Sequence, residues 1–253
     1  MAGECEKMPP ILRLPVELLS AVLSMLDDLP SLLSAILASR AFNNAFHEEK
    51  LAILSRVLVR YVGPDAISAA LAAIEADAAA KTHVSSWTAE DIQAFCTEHL
   101  ENRAPVPPFN ALGKVIAVAK LSAAVKAFTK RFAQSVVDTS PTTEMSTLTA
   151  AERVRVERAF YLFETFCALF RNTHRNSSVL VGIDNFFSIF CPWELEQLGC
   201  IHDFLFHQVQ PGKCIPPTPP EKICYECLLI SSQLMMTSST MTSHGAPSRL
   251  NQQ

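Results

Sequence analysis

A chain of 253 residues is long enough for one large domain or two small ones, and can bury a core without disulfide staples. Hydrophobic residues make up 49% and charged residues 18%, below the roughly 25% charged of an average domain. That balance excludes an intrinsically disordered chain and leaves apolar surface for a partner. The 21 basic against 25 acidic residues leave a net charge of -4, which gives no global reason to bind nucleic acid or an anionic membrane. With 7 glycines against 16 prolines, the chain lacks the glycine that hairpins and phosphate loops consume, so the expected fold class is all-α.

The opening segment, MAGECEKMPPILRLP, lacks the charged start and apolar stretch of a signal peptide, and polar residues interrupt every run short of the ~18 apolar residues of a membrane span. The expectation is an intracellular protein, cytoplasmic or nuclear. Its eight cysteines (Cys5, Cys96, Cys167, Cys191, Cys200, Cys214, Cys224, Cys227) then read as reduced thiols acting as small hydrophobes.

Four blocks follow in chain order: 12–46, 47–102, 103–210 and 211–253. In the first, Pro15 suits a first helical position, and the pattern from Val16 to Asp28 is helical. At ~100° per residue, Leu18, Leu19, Val22, Leu23, Met25 and Leu26 span an arc of roughly 160°, widened to about 200° by Leu14, Val16 and Leu29, more than one helical neighbour covers. Pro30 punctuates, Ser31 is positioned to cap, and a second helix through Leu32, Leu33, Ile36, Leu37 and Phe42 carries the same apolar excess. In the second block, Leu51, Leu54, Leu58 and Val62 repeat at helical spacing until Gly63-Pro64 breaks the pattern, and an alanine-rich helix resumes at Ile67. Thr88 with Asp91 marks a further start, running to Glu101-Asn102.

The third block predicts a helix from Phe109 to Val137, in which Lys114, Lys120, Lys126, Lys130 and Arg131 form a solvated face. A second helix runs from Thr149 to Arg171, where Thr149 and Glu152 make a capping-box pattern and Phe160, Phe163, Phe166, Leu169 and Phe170 an aromatic stripe. Pro192 opens a third helix in which Trp193, Leu195, Leu198, Ile201, Leu205 and Phe206 continue the core. From Pro211 the composition turns to proline, serine and threonine and reads as disordered.

The segment LRLPVELLSAVLSMLDDLPSLLSAILASRAFNNAF resembles the F-box, the three-helix module with which substrate receptors bind the small Skp-type linker subunit of cullin-RING ubiquitin ligases. The resemblance implies a linker-binding contact made by Leu14, Pro15, Leu18, Leu19, Val22, Leu26, Leu32, Leu33 and Phe42. Val16, Ala38 and Phe42 depart from the pattern, which more often holds an acidic residue, valine and tryptophan there. The later helices resemble the region that accompanies degenerate F-boxes in filamentous-fungal proteins. The implied function is an adaptor presenting a protein substrate for ubiquitination, with neither catalytic residues nor a cofactor; the alternative is a helical interaction scaffold without ligase attachment. The wide apolar arcs fit either reading, because laying an apolar helix face into a partner groove is a common mode of recognition.

Other chemistries find less support. Cys224-Tyr-Glu-Cys227 has zinc-knuckle spacing, with Cys214, His202 or His207 as further ligands, but no second short-spaced pair exists and the expectation is no metal. Cys96 with His99, and Cys200 with His202, lack an orienting carboxylate or oxyanion loop and read as core cysteine with surface histidine. The motifs GxGxxG, GxxxxGK[ST] and HExxH are absent.

Overall fold

The computed structural model describes residues 11, 14–82, 87–101, 109–139, 148–171 and 177–209, and every regular element among them is helical, as the composition predicts. The helices in order are α1 (Val16–Ser24), α2 (Leu29–Ala38), α3 (Arg40–Glu48), α4 (Lys50–Val62), α5 (Ile67–Thr82), α6 (Ala89–Cys96), α7 (Leu112–Thr139), α8 (Ala150–Phe170), α9 (Ser177–Ser188) and α10 (Pro192–Val209). A π-helical turn, Thr97–Glu101, prolongs α6. No single helix among the described residues is long and apolar enough to cross a membrane. The segment from Pro211, including Cys214, Cys224 and Cys227, lies outside them.

Contacts divide the chain into two compact units, one from Met1–Ile74 and Asn102–Arg158 and the other from Glu75–Glu101 and Ala159–Gln253. Each is assembled from two separated stretches, α5 and α8 supplying residues to both.

In the first unit α1 and α2 both pack on α3, α4 lies against all three, and α7 packs on α4. Local chemistry sets these boundaries. Asp28, in extended conformation, accepts the Ser31 amide at 2.6 Å, so α2 begins at Leu29 with Pro30 in its first turn. This corrects the expectation that Ser31 is the cap: the carboxylate three residues earlier reaches the amide that Ser31 itself donates. The second helix also does not run through to Phe42. Ser39 turns extended (φ -150°, ψ 134°), its hydroxyl accepts the Ala41 amide at 3.1 Å, and α3 starts anew. Gly63 closes α4 at φ +97°, backbone that a side chain strains to adopt, with its amide bonded to the Val59 carbonyl at 2.9 Å.

In the second unit α6 packs on α9. The approach is close at Gly182, where a Cβ would come within 2.5 Å of the Ile92 Cδ1. Thr88 and Asp91 form the expected capping box at the start of α6. The aromatic stripe of α8 is core, as expected: Phe166 meets Phe170, Phe186 and Phe187 at ring separations of 4.8, 5.5 and 5.3 Å. Arg171 pairs with Asp77 at 3.3 Å, and Asp77 also holds Lys81 one turn along α5. Trp193 does not continue this core. It stands 64% exposed in the first turn of α10, where the inward face is taken by Leu198, Ile201, Phe204 and Leu205.

Candidate partner-binding face of the N-terminal helices

Three short helices cannot bury much, so which side chains they turn inward decides what is left for a partner. Leu19 and Leu23 of α1, Leu32 of α2 and Ala45 of α3 close the module from inside. Ser20 donates to the Ala45 carbonyl at 3.3 Å, and Ser24 to the Ser20 carbonyl at 2.8 Å, so these two buried hydroxyls are satisfied locally. The end of α1 is pinned by α4: Arg60 donates to the Met25 carbonyl at 3.0 Å and approaches Asp27 at 3.6 Å, while Arg56 reaches the Ser24 hydroxyl at 3.4 Å. Cations set against the carbonyl end of a helix complement its dipole.

The outward faces remain apolar. Leu18 is 50% exposed and Met25, two turns on, 67%; on α2, Leu33 and Leu37, one turn apart, are 57% and 76% exposed. Of the nine residues that the resemblance implies for a linker contact, Leu14, Pro15, Leu18 and Leu33 are exposed, Val22, Leu26 and Phe42 are half-buried, and Leu19 and Leu32 are buried within the module itself. Met25 and Leu37 were not among those residues, yet they are the most exposed large apolar side chains of the module. Their signal was in the pattern: seven residues from Leu18 to Met25 and four from Leu33 to Leu37 each return to the same helix face.

Behind the module, α7 meets α4 through Lys126, whose ammonium sits 3.9 Å from the Tyr61 ring centroid and donates to the Tyr61 carbonyl at 2.7 Å. The basic stripe is therefore not one solvated face. Lys120 and Lys130 are exposed, whereas Lys126 is a half-buried packing residue. Burial raises the Glu157 carboxyl above its ordinary range against the opposing pull of Lys126 and Arg153. Burial also raises the Tyr61 phenol, with Glu157 and then Asp28 adding to the effect. The Asp28 carboxyl is held below its ordinary range by the backbone and then the side-chain hydrogen bond of Ser31.

The two cysteine and histidine pairs resolve differently, with Cys96 in the core as expected. Cys96 is buried and its thiol is pushed up to about 12 by desolvation and then by Glu101, so it stays protonated at neutral pH; His99 packs on Phe95 with ring centroids 4.4 Å apart. For Cys200 and His202 the expected roles reverse: Cys200 is exposed, whereas His202 is buried near Phe163 and stacked on Phe206, its Nδ1 3.0 Å from Asp203 Oδ1. Among the described residues no group of three or more His, Cys, Asp or Glu side chains converges. Comparison with known proteins finds no matching family model, no similar curated protein and no similar solved structure.

Proposed function

We propose that the chain is an F-box adaptor: residues 12–46 bind the Skp-type linker of a cullin-RING ubiquitin ligase, and the remaining helices present a protein for ubiquitination. The observation that carries this reading is the outward row of Leu14, Leu18, Met25, Leu33 and Leu37 on helices whose own interior is already closed by Leu19, Leu23 and Leu32. A fully buried leucine contributes about 1.5–3 kcal/mol relative to water, so several together are of the size needed to offset the roughly 4–15 kcal/mol cost of association. The F-box-like order of residues supplies the identity of the partner; the exposed leucines supply the reason that a partner is needed. Leu19 and Leu32, which the resemblance assigns to the contact, act in this reading by setting the distance between α1, α2 and α3.

The test is co-purification of the full chain with a recombinant Skp-type linker. Capture by the wild type and loss in a Leu14→Ala, Pro15→Ala double variant that keeps its helical circular dichroism support the adaptor. A wild-type chain that fails to capture the linker leaves a helical interaction scaffold instead.

A further inference from the structure

α7 runs from Leu112 to Thr139 without a single carboxylate before Asp138, yet carries Lys114, Lys120, Lys126, Lys130 and Arg131, in a chain whose net charge is -4. Its two sides differ. Val115, Val118, Ser122, Val125 and Thr129 are buried at alternating three- and four-residue spacing, and this is the seam of a helix packed on a neighbour. The opposite side also runs at steps of three or four residues, but in the open: Leu112, Ile116, Lys120, Ala123, Ala127 and Lys130 are all exposed. Leu112 and Ile116 are 37% and 47% exposed, and neither Lys120 nor Lys130 makes an ion pair among the described residues.

This face has a definite complement. At 1.5 Å rise per residue, the ten residues from Lys120 to Lys130 place the two ammonium groups roughly 15 Å apart along the axis, with a shallow step between them where Ala123 and Ala127 carry only methyl groups. Large side chains from an opposing helix fit that step and the flanking Ile116, and carboxylates on the same helix meet the lysines. A bilayer is a poorer match, because interfacial helices bury large apolar side chains across their length and this face offers alanine at its centre.

We propose that the outer face of α7 is a second docking surface, and that its occupant is an acidic amphipathic helix of a partner protein. That this partner is the cargo of the adaptor rests on the reading in the preceding section; the surface itself does not.

The experiment uses the full chain and three probes: a 21-residue synthetic helix with leucine at core positions and glutamate flanking them, the same peptide with glutamine for glutamate, and vesicles containing phosphatidylserine. The expected result is binding of the glutamate peptide, weakened at least tenfold by glutamine replacement, by raised salt, and by Lys120→Glu with Lys130→Glu. A scrambled glutamate peptide of equal charge should bind at least tenfold more weakly than the amphipathic one. An Ala127→Arg variant, which fills the step but adds positive charge, should also lose the peptide; retention there shows that charge alone is responsible and overturns the proposal. So does absence of peptide binding, indifference to the double charge reversal, or vesicle binding in its place. The Leu14→Ala, Pro15→Ala variant separates the two surfaces: it should lose the linker and keep the peptide, and a chain that never binds the linker but binds the peptide retains this surface while losing the adaptor assignment.

Discussion

The first two helices and the second half of α8 are both rich in large apolar side chains, and they put them to opposite ends. From Ala159 to Phe170 every side chain except Glu164 is buried. In α1 and α2 only Leu19, Ser20, Leu23, Ser24 and Leu32 are buried, and Leu33 and Leu37 of α2 face outward. Apolar character thus sets which residues are able to form a core; the number of elements around a helix sets which of them do. The second half of α8 is enclosed on all sides, and its carboxylate, Glu164, is raised above its ordinary range by burial, with Arg171 opposing and Asp77 reinforcing the shift. α1 and α2 have α3 and α4 on one side only, so half of each helix is left for something outside the unit.

The largest effect should come from the enclosed region. Phe186 is fully buried against the rings of Phe166, Phe170, Phe187 and Phe190, and Phe186→Ala should cost about 3–5 kcal/mol in urea unfolding. A loss below about 1 kcal/mol would mean that this cluster is not the packed interior described.

Within α1 the same substitution should read out the two faces. Leu23→Ala removes a side chain with 0% exposure and should cost about 2–5 kcal/mol, whereas Leu18→Ala should stay within about 0.5 kcal/mol of wild type. Equal costs at the two positions would erase the distinction between interior and outward face.

A smaller effect tests the α6–α9 contact. Gly182→Ala gains helix propensity of about 1 kcal/mol but forces a methyl against Ile92, so overpacking of about 1–3 kcal/mol should leave it net destabilised. The cost should shrink in an Ile92→Val background, a coupling that independent sites would not show.

The smallest effect is a pH dependence. Burial raises Glu157 and Glu164 in the folded state, so between the ordinary glutamate value of 4.5 and their raised values the folded chain binds more protons than the unfolded one, and their contribution to stability falls as pH rises through that window. Glu157→Gln should therefore melt higher than wild type at neutral pH, with the advantage fading below about pH 4.5. An advantage that grows on acidification would contradict the burial of this carboxyl. Asp28 and Glu152 have the opposite sign, since their lowered values give stability that is lost as acid protonates them.

Periodicity and punctuation carried most of the helical order. Gly63-Pro64, the Thr88–Asp91 box, the Thr149–Glu152 box and Pro192 each mark a boundary that the structure keeps, because capping depends on residues within one turn. The break at Ser39 is not legible from periodicity, because Ala38 and Phe42 continue an apolar pattern across it and the turn shows only in the extended Ser39 backbone and its hydroxyl accepting from Ala41. α9 is not legible as a helix in the sequence because its phenylalanines, Phe186 and Phe187, read as an aromatic cluster. In the candidate site, the exposed Leu14, Leu18 and Leu33 were legible from the excess width of the apolar arc. The inward Leu19 and Leu32 were not separable from them, since periodicity gives the angle between residues but not the side on which the neighbouring helix sits. The packing role of Lys126 is not legible in the sequence for the same reason: only the fold brings it over Tyr61, 65 residues away in sequence.

The most direct test of the account pairs two quantities on the full chain: affinity for the Skp-type linker and melting temperature, in wild type and in a Leu18→Ala, Leu33→Ala, Leu37→Ala variant. These three side chains are exposed and touch little of their own module, so the variant should melt within a few degrees of wild type while its linker affinity drops at least tenfold, about 1.4 kcal/mol or more. Unchanged affinity would show that the outward leucines are not the linker contact, and the adaptor reading would fall with them.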